Sequence, residues 1–226
     1  MERFFDIFFS GLALLLLSPL LLPIVITLRL SGEGEVFFLQ ERVGKGGERF
    51  KLFKFATMLK DSPNIGTGTV TMKGDRRVLP VGTFLRKTKI NELPQLLNIF
   101  FGDMSVIGPR PLTIRTFSAY SEDTQQNIIK VRPGLSGIGS IIFRGEEDIM
   151  QGAAASVDFY DTVIAPYKGM LEEWFVSNKG LYMYFLAIFI TVWVVFFPNS
   201  TVAWVVFKGL PQPPEELSLA LNFKSQ

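Results

Sequence analysis

Residues 85 to 111, LRKTKINELPQLLNIFFGDMSVIGPRP, gather the side chains of this chain that can handle phosphate. Glu92 stands at the expected start of a helix, with Asn91 before it and the cations Arg86, Lys87 and Lys89 just upstream. The amides at a helix start favour anions. An acid, several cations and such amides together point to metal-assisted chemistry on phosphates. Simple capping competes with that reading, because Asn is a good N-cap and acids are common in first turns. Gly108-Pro109-Arg110-Pro111 carries more weight. Two prolines fix the backbone on both sides of Arg110, and a planar guanidinium fork suits phosphate oxygens.

Composition narrows the chemistry further. The 226 residues include no cysteine and no histidine, which removes disulfides, thiolate nucleophiles and imidazole acid–base catalysis. Carboxylates, Lys, Arg, Tyr, Ser/Thr and an oxygen-bound cation remain. A net charge of +2, with no aromatic-interleaved basic patch, gives no reason to expect a nucleic-acid partner. Hydrophobic residues make up 48% of the chain and 22 residues are Phe, as expected of a protein that meets a lipid bilayer.

Around these residues the sequence predicts an α/β domain with membrane-associated ends. No residue from Ile7 to Leu28 is charged, a run long enough to cross a bilayer as a helix. Pro19 sits mid-run after Ser18, and Pro23 follows. A proline frees a carbonyl in the preceding turn, and in lipid a Ser hydroxyl is one available partner for it. A break at Ser18-Pro19 would return both ends through one leaflet; the alternative is a single kinked spanning helix. Arg3 and Arg29 flank the run on both sides, so charge asymmetry favours neither.

Residues 36 to 58 read as a hairpin across GKGG, carrying Gln40, Arg42, Lys51 and Lys54. The next stretch, DSPNIGTGTVTMKGDRR, is loop-like and ends at Arg77. A helix is expected from near Asn91 to a stop at Gly102, with Leu93, Leu96, Leu97 and Phe100 as its apolar stripe. Residues 112 to 130 read as helical, VRPGLSGIGSI as a loop leading to a short strand, and residues 158 to 180 as one or two helices interrupted at Pro166. From Gly180 to Pro198 a second apolar stretch follows, with Tyr182, Tyr184 and Trp193 of interfacial type. Three placements stay open for it, spanning the bilayer, lying in the interface or packing on the domain, and it offers a surface for a homodimer. The division expected is a membrane helix over 1–30, a catalytic domain over 31–180 and an apolar segment with its tail over 181–226.

In order along the chain, the motifs resemble those of the bacterial sugar transferases, the monotopic phosphoglycosyl transferases. The resemblance runs to about residue 198. It takes in Ser18-Pro19, Gln40-x-Arg42-x-Gly44, Lys54-Phe55-Ala56-Thr57-Met58, Arg77, Gly82, Leu85-Arg86 and the ELPQL of residues 92 to 96. Gly102-Asp103-Met104-Ser105, Gly108-Pro109-Arg110-Pro111 and Arg132-Pro133-Gly134-Leu135 complete it. It implies transfer of a sugar 1-phosphate from a nucleotide-diphosphate sugar, typically a UDP-sugar, to polyprenyl phosphate, with release of nucleoside monophosphate. It also implies Mg²⁺, a re-entrant first helix, helices lying in the interface, and a catalytic domain on the cytoplasmic face of the bacterial inner membrane. Glu92 would be the indispensable acid and metal ligand, and Arg110, Arg86, Lys54, Arg42 and Arg77 the phosphate-binding cations.

Two positions depart from the family pattern. Asn91 stands where an Asp nucleophile is usual, and Ala56 where an Arg is usual. An amide is a poor nucleophile, so a covalent route does not carry over to Asn91. Three alternatives follow: Glu92 as nucleophile or as metal ligand and base, direct attack by the lipid phosphate, or an impaired homologue that binds nucleotide-sugar or polyprenyl phosphate as a scaffold. A conventional inverting glycosyltransferase would release nucleoside diphosphate instead, and no D-x-D motif stands out for it.

Overall fold

A computed structural model describes residues 1–31, 33–62, 77–144 and 157–223. They form two compact units. The smaller comprises Phe5–Glu41 and Lys51–Gly102; the larger comprises Met1–Phe4, Arg42–Phe50 and Asp103–Gln226. Helices dominate, with two two-stranded sheets among them.

The chain opens with α1, Glu2–Leu30, a single helical element with Pro19 and Pro23 inside it. Its 29 residues reach about 43 Å, enough to cross a hydrocarbon core of about 30 Å. Pro19 cannot donate to the carbonyl of Leu15, and the Ser18 hydroxyl donates to that oxygen at 2.7 Å. The proline therefore does not end the helix. Most of α1 presents exposed apolar side chains, among them Phe8, Leu15, Leu16, Leu22 and Ile26. Such a surface marks a membrane-associated protein.

Near its C-terminal end α1 meets the rest of the smaller unit. Leu28, Phe55 and Leu85 are buried together, flanked by Leu21, Ile24, Val25, Val36, Val81 and Ile90. The hairpin forms as expected, with β1 at Phe37–Val43 and β2 at Arg49–Phe55. Ala56 follows, 6% exposed, with its amide donating to the Val36 carbonyl. That position is a packed one and accepts a small side chain. Then comes α2, Pro80–Lys87, which starts on a proline at its first turn. The expected loop of residues 61 to 77 lies mostly outside the described residues.

The helix expected near Asn91 begins later. Ile90–Glu92 form a short 3₁₀ turn entered through Lys89 in the left-handed region (φ 58°), and α3 covers Gln95–Phe101 after Pro94. Gly102, at φ 108°, stops it as expected. The buried face also differs from the apolar stripe. Gln95, Leu96, Asn98 and Ile99 are buried, whereas Phe100 and Phe101 are exposed. Asn98 points inward because β2 has backbone groups that need partners.

In the larger unit, β3 (Ser105–Ile107) pairs in parallel with β4 (Gly134–Ser136), Ser105 opposite Gly134 and Ile107 opposite Ser136. Two short helices lie between them, α4 (Ile114–Ser118) and α5 (Glu122–Ile128). They are separate because Thr113 and Ser121 each accept a hydrogen bond from an amide three residues on, which starts a new helix twice. α6, Ile138–Ile142, follows β4 directly. The interruption expected at Pro166 is a π turn, Tyr160–Ile164, leading into α7 at Ala165–Ser177. Tyr120, Ile128, Leu112 and Ala165 form one buried cluster here.

Helix α8, Leu181–Phe196, spans about 24 Å, short of a full crossing. One face (Tyr184, Ala187, Ile190, Val194) is buried and the other exposes Tyr182, Phe189, Trp193 and Phe196. The tail is folded rather than loose. It carries α9 (Val202–Val206) and α10 (Glu215–Ser218), and it buries Phe207 and Leu217 almost completely. The Phe207 ring meets Trp174 edge-on at 5.9 Å, and the Tyr167 hydroxyl donates to the Pro211 carbonyl at 2.9 Å.

Candidate active site

Glu92 owes its place to one buried amide. Asn98 on α3 is fully buried; its Oδ1 accepts from the Phe53 amide at 2.9 Å, and its Nδ2 donates to the Lys51 carbonyl at 2.8 Å. The side chain thus imitates a strand along β2 and fixes α3 and the turn before it against that strand. Lys54, one residue past Phe53, then reaches Glu92, with Nζ 3.4 Å from Oε1. Both side chains stay partly accessible, at 20% and 35% exposure, as a pair that must still meet a ligand requires.

Beside Glu92, the Oδ1 of Asn91 is buried without a hydrogen-bond partner among the described residues. Such an oxygen is costly unless something fills its coordination. A carboxylate and an amide oxygen on consecutive residues are both hard-oxygen donors. Mg²⁺ usually takes one or two carboxylates plus substrate phosphates, so these residues fit it.

The other cations divide. Arg86 closes α2 on the approach to the acid turn, and its Nη1 lies 3.4 Å from the Met58 sulfur, a weak contact that leaves most of its donors available. Arg77 is 5% exposed and donates from Nη1 to the Ser62 carbonyl at 2.6 Å, which makes it a tie within its own segment. Arg42 lies in the larger unit and donates to the Pro111 carbonyl at 2.9 Å. With the Val43 amide on the Leu112 carbonyl, it braces the exit of the Gly-Pro-Arg-Pro turn.

That turn is built almost entirely from backbone. The Gly108 amide donates to the Ser136 carbonyl and the Gly134 amide to the Pro109 carbonyl, at 2.9 and 2.8 Å. A Cβ on Gly134 would lie 2.1 Å from the Gly108 nitrogen, and one on Gly137 would lie 2.1 Å from the Gly108 oxygen. Only glycine permits this approach. Three sequence motifs far apart in the chain, those of Arg42, Arg110 and Gly134, therefore serve one feature. It buries Gly108 and Pro109 and leaves the Arg110 side chain exposed.

Beneath the turn lies a carboxyl that the sequence reading missed. Glu172 on α7 is 3% exposed, and its Oε1 accepts from the Arg110 amide at 3.3 Å. Burial pushes its pKa up to about 7, against the opposing pull of the Arg110 amide and the Lys168 and Arg110 charges. Lys168, one turn earlier on α7, is itself buried and lies 5.0 Å above the Phe143 ring. In sequence, Glu172-Glu173 looks like a solvated pair; only the buried apolar residues Leu171 and Phe175 around it hint otherwise.

With this geometry in place, comparison with known proteins is decisive for the family. The sequence pattern of the bacterial sugar transferases matches residues 1–198. The chain belongs to that family. Among its relatives, the UDP-N-acetylgalactosamine-undecaprenyl-phosphate N-acetylgalactosaminephosphotransferase of Aeromonas hydrophila is 35% identical over 193 residues, covering 84% of this chain and 42% of the relative. The UDP-glucose:undecaprenyl-phosphate glucose-1-phosphate transferase of Klebsiella pneumoniae is 37% identical, over 70% of this chain and 34% of the relative. The exopolysaccharide production protein ExoY of Rhizobium meliloti (strain 1021) is 35% identical, over 70% of this chain and 74% of the relative. This sugar transferase thus spans less than half the length of the first two relatives and matches the third over most of its length.

Proposed function

We propose that this sugar transferase moves a sugar 1-phosphate from a UDP-sugar to undecaprenyl phosphate. The observation that carries the reading is the Lys54–Glu92 pair beside the unpartnered Asn91 oxygen, in a chain of this family. An oxygen of the lipid phosphate attacks the β-phosphorus of the nucleotide sugar. The bond from that phosphorus to the bridging oxygen breaks, and uridine monophosphate leaves with the electron pair. The sugar keeps its phosphate throughout, now in diphosphate linkage to the lipid.

Glu92 and the Asn91 oxygen would hold Mg²⁺, which when bound offsets the charge of the diphosphate. Lys54 and Arg86 supply further positive charge in the same unit, and Arg110 contacts phosphate through its guanidinium fork. Glu92 is held by Lys54 and is a weak nucleophile in that state, and Asn91 is weaker still. A single displacement follows from this, without a phosphosugar-enzyme intermediate.

The reading places the reaction at the cytoplasmic leaflet of the bacterial inner membrane, where a water-soluble nucleotide sugar meets a lipid whose phosphate stays at the interface. Ser18-Pro19, with the Leu15 carbonyl that the proline frees satisfied by the Ser18 hydroxyl, suits a re-entrant path for α1 with both ends on that side.

The test uses purified full-length protein with UDP-glucose or UDP-N-acetylgalactosamine, undecaprenyl phosphate and Mg²⁺. Uridine monophosphate should appear together with lipid-linked sugar phosphate. Release of uridine diphosphate would indicate a conventional glycosyltransferase, and binding without release would indicate a scaffold. Asn91→Asp should leave the rate within about threefold and yield no adduct by intact mass, since both reacting groups belong to the substrates. A trapped phosphosugar adduct in either protein would refute the single displacement.

A further inference from the structure

We propose that Glu172 is the positioning residue for Arg110, holding the Gly-Pro-Arg-Pro turn from beneath so that its guanidinium meets the nucleotide phosphates. The proposal rests on the reading of Arg110 as a phosphate contact.

Three observations carry it. Among the described residues, the hydrogen bond that joins Glu172 to the turn is made by the Arg110 amide itself, at 3.3 Å. The other carboxyl oxygen is buried without a partner, so the side chain is not held there by a saturated network of its own. Third, α6 gives the carboxyl its room: a Cβ on Gly139 would lie 2.4 Å from Oε1. A fully buried carboxyl is a costly residue, and burial pushes its pKa up to about 7. Lys168 on the same helix and Arg110 above it are the charged groups that offset that cost. An apolar residue would fill the space at lower cost, but it would leave the Arg110 amide without its acceptor.

Gly139 also provides a way to displace the carboxyl without removing it. Oε1 is the far end of a flexible side chain, so a methyl group at residue 139 moves it aside while the backbone stays in place.

The experiment measures binding of UDP, with Mg²⁺, to full-length protein in detergent by calorimetry, with melting temperature as a folding control. Glu172→Ala should weaken UDP binding about tenfold, the scale of one lost hydrogen bond to a charged group. Glu172→Gln keeps an oxygen acceptor and should stay within about threefold of wild type. Gly139→Ala should weaken binding in the same direction as Glu172→Ala while keeping Glu172, which covers the case in which Glu172→Ala does not fold. In Arg110→Ala, adding Glu172→Ala should produce no further loss, because the two act through one contact.

If Arg110→Ala weakens binding while folded Glu172→Ala and Gly139→Ala bind like wild type, the proposal fails alone. Full additivity in the double variant overturns it too. If Arg110→Ala itself binds UDP like wild type, the phosphate role of Arg110 fails, and this proposal fails with it.

Discussion

The acid turn at Ile90–Glu92 and the arginine turn at Gly108–Pro111 each present one functional side chain, yet they are built by opposite means. The arginine turn rests on backbone hydrogen bonds, glycines without room for a Cβ, and prolines. Its scaffold is buried and only its guanidinium is exposed. The acid turn has two local backbone bonds, from Glu92 to Lys89 and from Leu93 to Ile90, but side chains attach it to its strand: the Asn98 clamp on β2 and the Lys54–Glu92 pair. A turn of the first kind keeps its backbone path when its own exposed side chain changes, and it answers to the few side chains that brace it from outside, Arg42 and Glu172. The second kind depends on each contributing side chain, and single substitutions in it should propagate further.

The largest expected effect is at the acid itself. Glu92→Gln keeps the shape but removes the charge that faces Lys54 and any bound cation. Uridine monophosphate release should fall by about 10³-fold or more. A variant that turns over like wild type would remove Glu92 from the chemistry and leave the arginine turn as the more important of the two.

The next effect distinguishes the turns by pH. Glu172 beneath the arginine turn has a folded-state pKa raised from 4.5 to about 7. The unfolded chain ionises near 4.5, so the stability associated with the neutral carboxyl is fully present below that pH. It is lost as pH rises to and through about 7, by about 3 kcal/mol in total. Thermal melts from pH 4.5 to 8 should show this decline, and Glu172→Gln should flatten it. An unchanged decline in that variant would assign it to another group.

A smaller effect tests the side-chain clamp. Asn98→Leu removes both bonds to β2 and leaves the Phe53 amide and Lys51 carbonyl unpaired, at a cost of about 2 kcal/mol in denaturant titrations. Transfer should also drop by more than that stability loss explains, because Glu92 moves with α3. If stability falls and the specific activity of the folded fraction does not, the acid turn holds its place by other means.

The contrast also explains what the sequence could disclose. Glycine and proline encode backbone conformation directly, so Gly102 as a helix stop, the hairpin across GKGG, and the fixed backbone around Arg110 were all readable. Ser18 as partner for a carbonyl freed by Pro19 was readable for the same reason. Asn98 was not, because an asparagine on a short helix ordinarily faces water and nothing local marks it as a strand mimic. The late start of α3 went unread because Leu93-Pro94 looks as natural in a first turn as just before one. Glu172 was hidden by its neighbour Glu173, and its burial comes from residues 30 to 60 positions away. The structural contacts of Arg42 and Arg77 were not legible either, because composition gives a cation's charge and not its burial; one donates to the Pro111 carbonyl and the other to the Ser62 carbonyl. The tail escaped prediction since its order depends on α7, through Trp174 and Tyr167.

The small bond between Ser18 and Leu15 has a reach beyond its own turn. Within oil, an oxygen stripped of its donor draws water toward itself, and one molecule gives the next a foothold. With that oxygen already occupied, water finds no such foothold at Leu15 whether the helix bends there or runs on. The proline can then shape the path of the chain through the bilayer without opening a leak beside it.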